Sequence, residues 1–148
     1  MTRAEQIPAD DPTCQALGIR TVPGAPGPAV LQMRVTGEMV NRHGIVHGGY
    51  LFLLADAAFA HASNAPGPTA VAQSAQITFL RPVLAGVTLW AEATERVRHG
   101  RFGVYDVTVR LADGTVVAEF RGHSVVLTGP GSLPTSSNGH LDGGSDGP

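Results

Sequence analysis

One cysteine, Cys14, stands in a chain of 148 residues. A lone thiol forms no internal disulfide and supplies no paired-cysteine zinc site. Basic runs are equally scarce. Lys+Arg total 10 against 12 Asp+Glu, for a net charge of −2, so the electrostatic footprint of a nucleic-acid binder is missing. No apolar stretch approaches the roughly 20 residues that cross a bilayer, and the N-terminus lacks the continuous apolar segment of a secretory signal. A cytoplasmic protein is expected, with neither nucleic acid nor a membrane as partner. The Gly-x-Ser-x-Gly turn of many serine hydrolases is absent, and so is any internal repeat.

Both ends are poor core material. Residues 1–9 are polar and unpatterned, and residues 129–148 consist mostly of Gly, Pro, Ser, Asn and Asp. Such segments bury too little to offset their ordering entropy, so a flexible N-terminus and a disordered tail are expected to flank one domain over 10–128. Within it, Asp10 and Asp11 precede Pro12, and Gly18 closes a short helix. A turn-rich connector covers 23–28. Residues 29–35 alternate as a strand, with Leu31, Met33 and Val35 opposite Val30, Gln32 and Arg34. A long apolar helix spans 48–64. Four strands then follow over 69–80, 86–97, 103–111 and 115–127, with short connections, of which Asp113-Gly114 is the strongest hairpin signal. Short hairpins demand antiparallel pairing. The class is therefore α+β, five strands with one helix packed on one face. Two open sheet edges call for cover, which an oligomer would supply.

The chemistry concentrates where a glycine-rich loop, 41–49, runs into that helix. Gly48 and Gly49 leave the first backbone N–H groups bare, which makes a site for an oxyanion or a polarised carbonyl. One carboxylate, Asp56, stands among apolar residues two turns on. Burying it costs several kcal/mol unless it is compensated, so it is paired, protonated or there for chemistry. His43 and His47 lie four apart, a zinc spacing only on a helix, but Gly44 and Gly48 make this a loop, and no third ligand is recognisable nearby. No metal is expected. His47 reads instead as a hydrogen-bond partner that fixes the loop, and His61 as facing an interface or solvent. Arg81, Arg98, Arg101 and Arg121 are the cations available for an anionic ligand.

Residues 39–44 and 47–49, then 54–60 (LADAAFA), resemble the signature of the phenylacetate-pathway (PaaI-type) acyl-CoA thioesterases of the hotdog fold, in which a curved antiparallel sheet wraps one long central helix. The likeness continues through ITFLRP at 77–82, GVYDV at 103–107 and FRGHS at 120–124. It implies hydrolysis of an aryl-acetyl-CoA or a medium-chain acyl-CoA in phenylacetate catabolism, with coenzyme A as part of the substrate and no other cofactor. It also implies a dimer of dimers. By the same resemblance Asp56 activates water or attacks the thioester, Gly48 donates its N–H to the carbonyl, and Asn41 sets loop and water; His47, the loop-fixing residue, is expected to stand behind them at the site. Gly49, Ser74, Thr78, Arg81, Arg101, Phe102 and Gly103 are the positions implied to bind substrate or CoA.

Two other readings share the fold. A hotdog hydratase or dehydratase would carry a carboxylate–histidine pair for proton transfer at the β-carbon. A non-enzymatic acyl-CoA sensor would lack a functional carboxylate or add a DNA-binding segment. The Asn41-to-Asp56 pattern fits hydrolysis better. Gly48 and Asp56 are eight residues apart, roughly 12 Å along a helix, whereas a carbonyl and its attacking atom sit about 3 Å apart. One helix cannot serve both ends of the reaction, so a homodimer with shared sites is expected.

Overall fold

The computed structural model describes residues 11–23 and 29–128. The expectations for 1–9, for most of the connector and for the tail lie outside the described residues. A short helix, α1 (Pro12–Leu17), is capped by the Asp11 carboxylate, which accepts from the Cys14 N–H at 3.0 Å. Gly18 ends it at φ 69°, a left-handed conformation suited to glycine. That turn drives Ile19 into full burial.

Among the described residues six strands form one antiparallel sheet: β1 (Arg20–Thr21), β2 (Ala29–Arg34), β3 (Ala70–Phe79), β4 (Thr88–His99), β5 (Phe102–Arg110) and β6 (Val116–Val126). The expected count of five lacks β1. It pairs Arg20 with Gln32 and Thr21 with Leu31, and two residues are too short to show alternation. The expected parity holds in part: Leu31, Met33 and, just past β2, Val35 are buried and Arg34 is exposed, but Val30 of the opposite set is buried as well.

The sheet order is β1-β2-β4-β5-β6-β3. β4–β5 and β5–β6 are hairpins, turned at Gly100 (φ 60°) and Gly114 (φ 91°). The third short connection is not a hairpin. β3 pairs with β6 and β4 with β2, so residues 80–87 cross from the far edge to the middle of the sheet. Eight extended residues reach roughly 27 Å, enough to pass two intervening strands spaced about 4.8 Å apart. On the way the crossover anchors the loop before the long helix: Val46 donates to the Val83 carbonyl at 2.8 Å, and Ile45 bridges Leu84.

The long helix, α2 (Gly48–Asn64), lies against β2 through β6. Leu51, Leu54, Ala55, Ala58, Phe59 and Ala62 form its buried stripe at helical spacing. Phe59 meets Tyr105 edge-on at 5.6 Å between ring centroids and Phe120 at 5.7 Å. Glycine is required beneath it, because a Cβ on Gly122 would come within 2.8 Å of the Phe59 ring. This is the hotdog arrangement. An apolar run of this length suggests burial on every side, but in the single protomer Gly49 and Ala60 are exposed and Leu53, Asp56 and Ala57 only half-buried.

Candidate active site

Asn41 builds the loop that delivers the helix. Its side-chain oxygen accepts from the N–H groups of His43 (2.9 Å) and Ile45 (3.2 Å), while its own N–H donates to the Ile45 carbonyl at 2.8 Å. Gly44 completes the turn at φ 75°. His47 is the N-cap residue, yet its side chain makes no capping bond and is exposed. It fixes the loop through its backbone N–H, which donates to the Met39 carbonyl at 2.9 Å. The N–H groups of Gly48 and Gly49 find no acceptor among the described residues. Two free donors at the positive end of a helix dipole can receive a developing negative charge.

A cleft of about 350 Å³ opens beside them, lined chiefly by Ile45, Leu51, Phe79, Pro82 and Val83, with Arg81 at its rim. The Arg81 guanidinium is held by the Val116 carbonyl. Gly48 lies directly under the Phe79 ring, since a Cβ there would be 2.7 Å from the ring tip and would have to displace it.

Asp56 sits half-buried in the middle of α2, and no hydrogen bond or ion pair joins it to another described residue. Burial pushes its carboxyl above the ordinary carboxylate range. Cys14 is no alternative nucleophile, because burial first and Asp11 second raise its thiol to about 11. Among the described residues no three His, Cys, Asp or Glu gather as a metal site.

The other residues implied at the site are dispersed within one protomer. Ser74 and Thr78 pair with His123 and Glu119 on the outer face of the sheet, while Ile77 and Phe79 have the opposite parity and face the helix. Arg101, Phe102 and Gly103 line a second hollow with Ser63, Arg98 and Ser124, at the C-terminal end of α2. Fifteen residues separate Gly48 from Ser63, roughly 22 Å of helix. Arg101 donates to the Val126 carbonyl at 3.2 Å, and Phe102 is half-exposed. Sequence reasoning missed Phe79 and Pro82 as lining residues. The signal was available in ITFLRP, where alternation puts Phe79, and not Thr78, on the helix side.

A free carboxylate and a bare helix start, on one helix cradled by a hotdog sheet, are the parts of a thioester hydrolase. The pattern of the thioesterase superfamily matches residues 43–118, from the loop through α2 into β6. The chain is 46% identical over 115 residues to the acyl-coenzyme A thioesterase PaaI of Escherichia coli (strain K12), covering 78% of this chain and 82% of that one. The structure of the E. coli PaaI protein from the phenylacetic acid degradation operon superposes with a TM-score of 0.77 at 45% identity, covering 81% of this chain and 87% of that one. A mutant of the phenylacetic acid degradation protein PaaI from Thermus thermophilus gives 0.73 at 42% identity, over 79% and 100% of the two chains. The chain belongs to the thioesterase superfamily, within its PaaI-type acyl-CoA thioesterases.

Proposed function

We propose that the protein hydrolyses acyl-CoA thioesters, with an aryl-acetyl or medium-chain acyl group, at sites shared between two copies of the chain. The observation that carries this is the unpaired, half-buried Asp56 carboxylate on the same apolar helix as the free Gly48 N–H. Polarising the carbonyl falls to Gly48 and Gly49. Asp56 serves as general base toward water or as nucleophile. Water adds across the acyl–sulfur bond, giving the free acid and CoA thiol. The leaving thiolate needs no dedicated acid, because thiols ionise readily. Asn41 holds the loop and positions the water, and no metal or redox group is required. The activity of the E. coli relative supports the substrate class, and the aryl-acetyl group is suggested by that relative's operon.

Sharing follows from reach. Gly48 and Asp56 of one helix are too far apart for one thioester, and two antiparallel helices about a two-fold axis bring one of each together. The open helix stripe and the open β3 edge are the surfaces available for that pairing. It would also carry one protomer's Arg101 and Phe102 toward its partner's Gly48 end, where CoA phosphates and adenine need a cation and an aromatic face. A dimer of dimers in the cytoplasm completes the reading. Among the described residues no helix is long and apolar enough to cross a membrane.

Thiol release from a panel of acyl-CoAs, run with and without EDTA, tests the reaction; chelator-sensitive activity restored by zinc would contradict the metal-free chemistry. Mixing Gly48→Pro with Asp56→Ala under subunit exchange tests the sharing. Each mixed dimer would carry one intact and one doubly broken site, so activity should return from two inactive parents. A verified heterodimer that stays inactive rules the shared site out.

A further inference from the structure

We propose that Phe79 sets the acyl selectivity of the Gly48 site, its ring forming the wall against which the acyl group lies; this rests on the thioesterase reading above. Three observations carry it. The tip of the ring fills the space where a Cβ of residue 48 would be, 2.7 Å away, so the ring adjoins the residue whose N–H is free to take the carbonyl oxygen. The ring is 50% exposed although apolar, at the last position of an edge strand with a neighbour on one side only. The backbone beneath it is nevertheless anchored, with Phe79 paired to Ala118 and Leu80 N–H donating to the Val117 carbonyl at 2.8 Å.

A half-exposed ring on an anchored backbone, the one aromatic group in a cleft otherwise lined by aliphatic residues and Arg81, is placed to be displaced or stacked upon by what enters. The groups that can touch it once a carbonyl oxygen sits on Gly48 are the substituents of that carbonyl carbon. Of these, a flat aryl-acetyl group gains most from an aromatic wall, because offset or edge-on ring pairs add to ordinary apolar burial. A linear chain of similar size gains only the burial. A methyl group at position 48 would meet the tip of that ring and push it aside, so the two residues are coupled sterically.

The test compares kcat/KM for phenylacetyl-CoA and hexanoyl-CoA in the wild type, Phe79→Leu and Phe79→Ala, with oligomeric state checked for each. Removing the aromatic ring should lower the phenylacetyl-to-hexanoyl ratio by about three- to tenfold, Phe79→Leu included, while inhibition by free CoA stays unchanged. Gly48→Ala should lower the ratio in the wild type, because the new methyl group displaces the ring. In the Phe79→Ala background it should leave the ratio alone. An active wild type whose ratio is unchanged in both Phe79 variants overturns the proposal and leaves the thioesterase reading standing. So does a loss of CoA inhibition at unchanged ratio, which would put the ring on the pantetheine side. A folded, assembled wild type that hydrolyses neither thioester overturns the reading itself.

Discussion

β5 and β3 both border β6 and both carry alternating side chains toward α2, yet they end in opposite states. Along β5, Gly103, Tyr105, Val107 and Val109 are buried at every second position. Along β3, from Gln73 to Gln76 every residue is exposed, and Phe79 and Leu80 are half-exposed. Composition does not separate them, since β3 is apolar enough to be covered. Position does. β5 has strands on both sides and the helix beneath, whereas β3 has β6 alone, and α2 keeps a stripe of Leu53, Asp56 and Ala60 that the protomer covers only in part. One half of the sheet is finished within a single chain. The other half, at the β3 edge beside the helix start, stays open in the protomer, and the proposed second copy would cover it.

The sharpest way to break this comparison is to truncate one aromatic residue in each half. Phe59→Ala, in the closed half, should cost about 3–5 kcal/mol of unfolding free energy, measured by urea denaturation. Phe79→Ala should cost the protomer under about 1 kcal/mol. Equal losses would mean that the open half is as closed as the other. Next in size is Asp56→Asn, expected to leave a folded assembly with turnover cut by roughly a hundredfold or more. Near-normal hydrolysis by that variant would remove Asp56 from the reaction. Ala60→Arg probes the open stripe directly. Ala60 is exposed and arginine is a good helix former, so the protomer should melt as before. It should elute as a single chain on size exclusion and lose activity with its partner. An assembled, active Ala60→Arg protein would show that the pairing surface lies elsewhere.

Much of this is legible in the sequence, and the failures have physical causes. The helix 48–64 is readable to the residue because glycines and Ala65-Pro66 bracket an apolar run. Asp56 is readable because a lone carboxylate in such a run is expensive. β1 is not, since two residues carry no period. The crossover of residues 80–87 is not either, because a connection of that length serves a hairpin or a crossing equally, and only the anchoring of Val46 on Val83 shows which it serves. At the site, resemblance points to Ser74 and Thr78 while strand parity points to Phe79. In one protomer parity describes the cleft. The expected loop-fixing hydrogen bond of His47 comes from its backbone, while its ring is exposed.

The smallest expected effect compares two carboxylates, Asp56 in the open half and Asp106 on the outer face of the sheet. The Arg121 guanidinium binds Asp106 through bonds of 2.6 and 2.8 Å and holds its carboxyl below the usual range. Burial holds that of Asp56 above it. Linkage then fixes opposite signs. For Asp106 the folded state favours the charged form, so the ion contributes stability at neutral pH that is lost as pH falls through the lowered folded value. For Asp56 the folded state favours the protonated form. That relative gain is complete at pH below the unfolded value and is lost as pH rises through the raised folded value, so the ionised group weighs against folding at neutral pH. Near pH 7, Asp56→Asn should therefore unfold at higher denaturant than the wild type and Asp106→Asn at lower. The Asp56 difference should shrink toward zero at about pH 3, below the ordinary carboxylate value, whereas that of Asp106 should persist there and vanish only at pH below its lowered folded value. Both are modest, because half-exposed carboxylates are screened by solvent. If a second copy covers the open stripe, the Asp56 contrast should be larger in the assembled protein than in the Ala60→Arg background, whereas that of Asp106 should not change. An Asp56 contrast that is the same in both backgrounds would mean that nothing further buries the carboxylate on assembly, and the shared site would lose its structural basis.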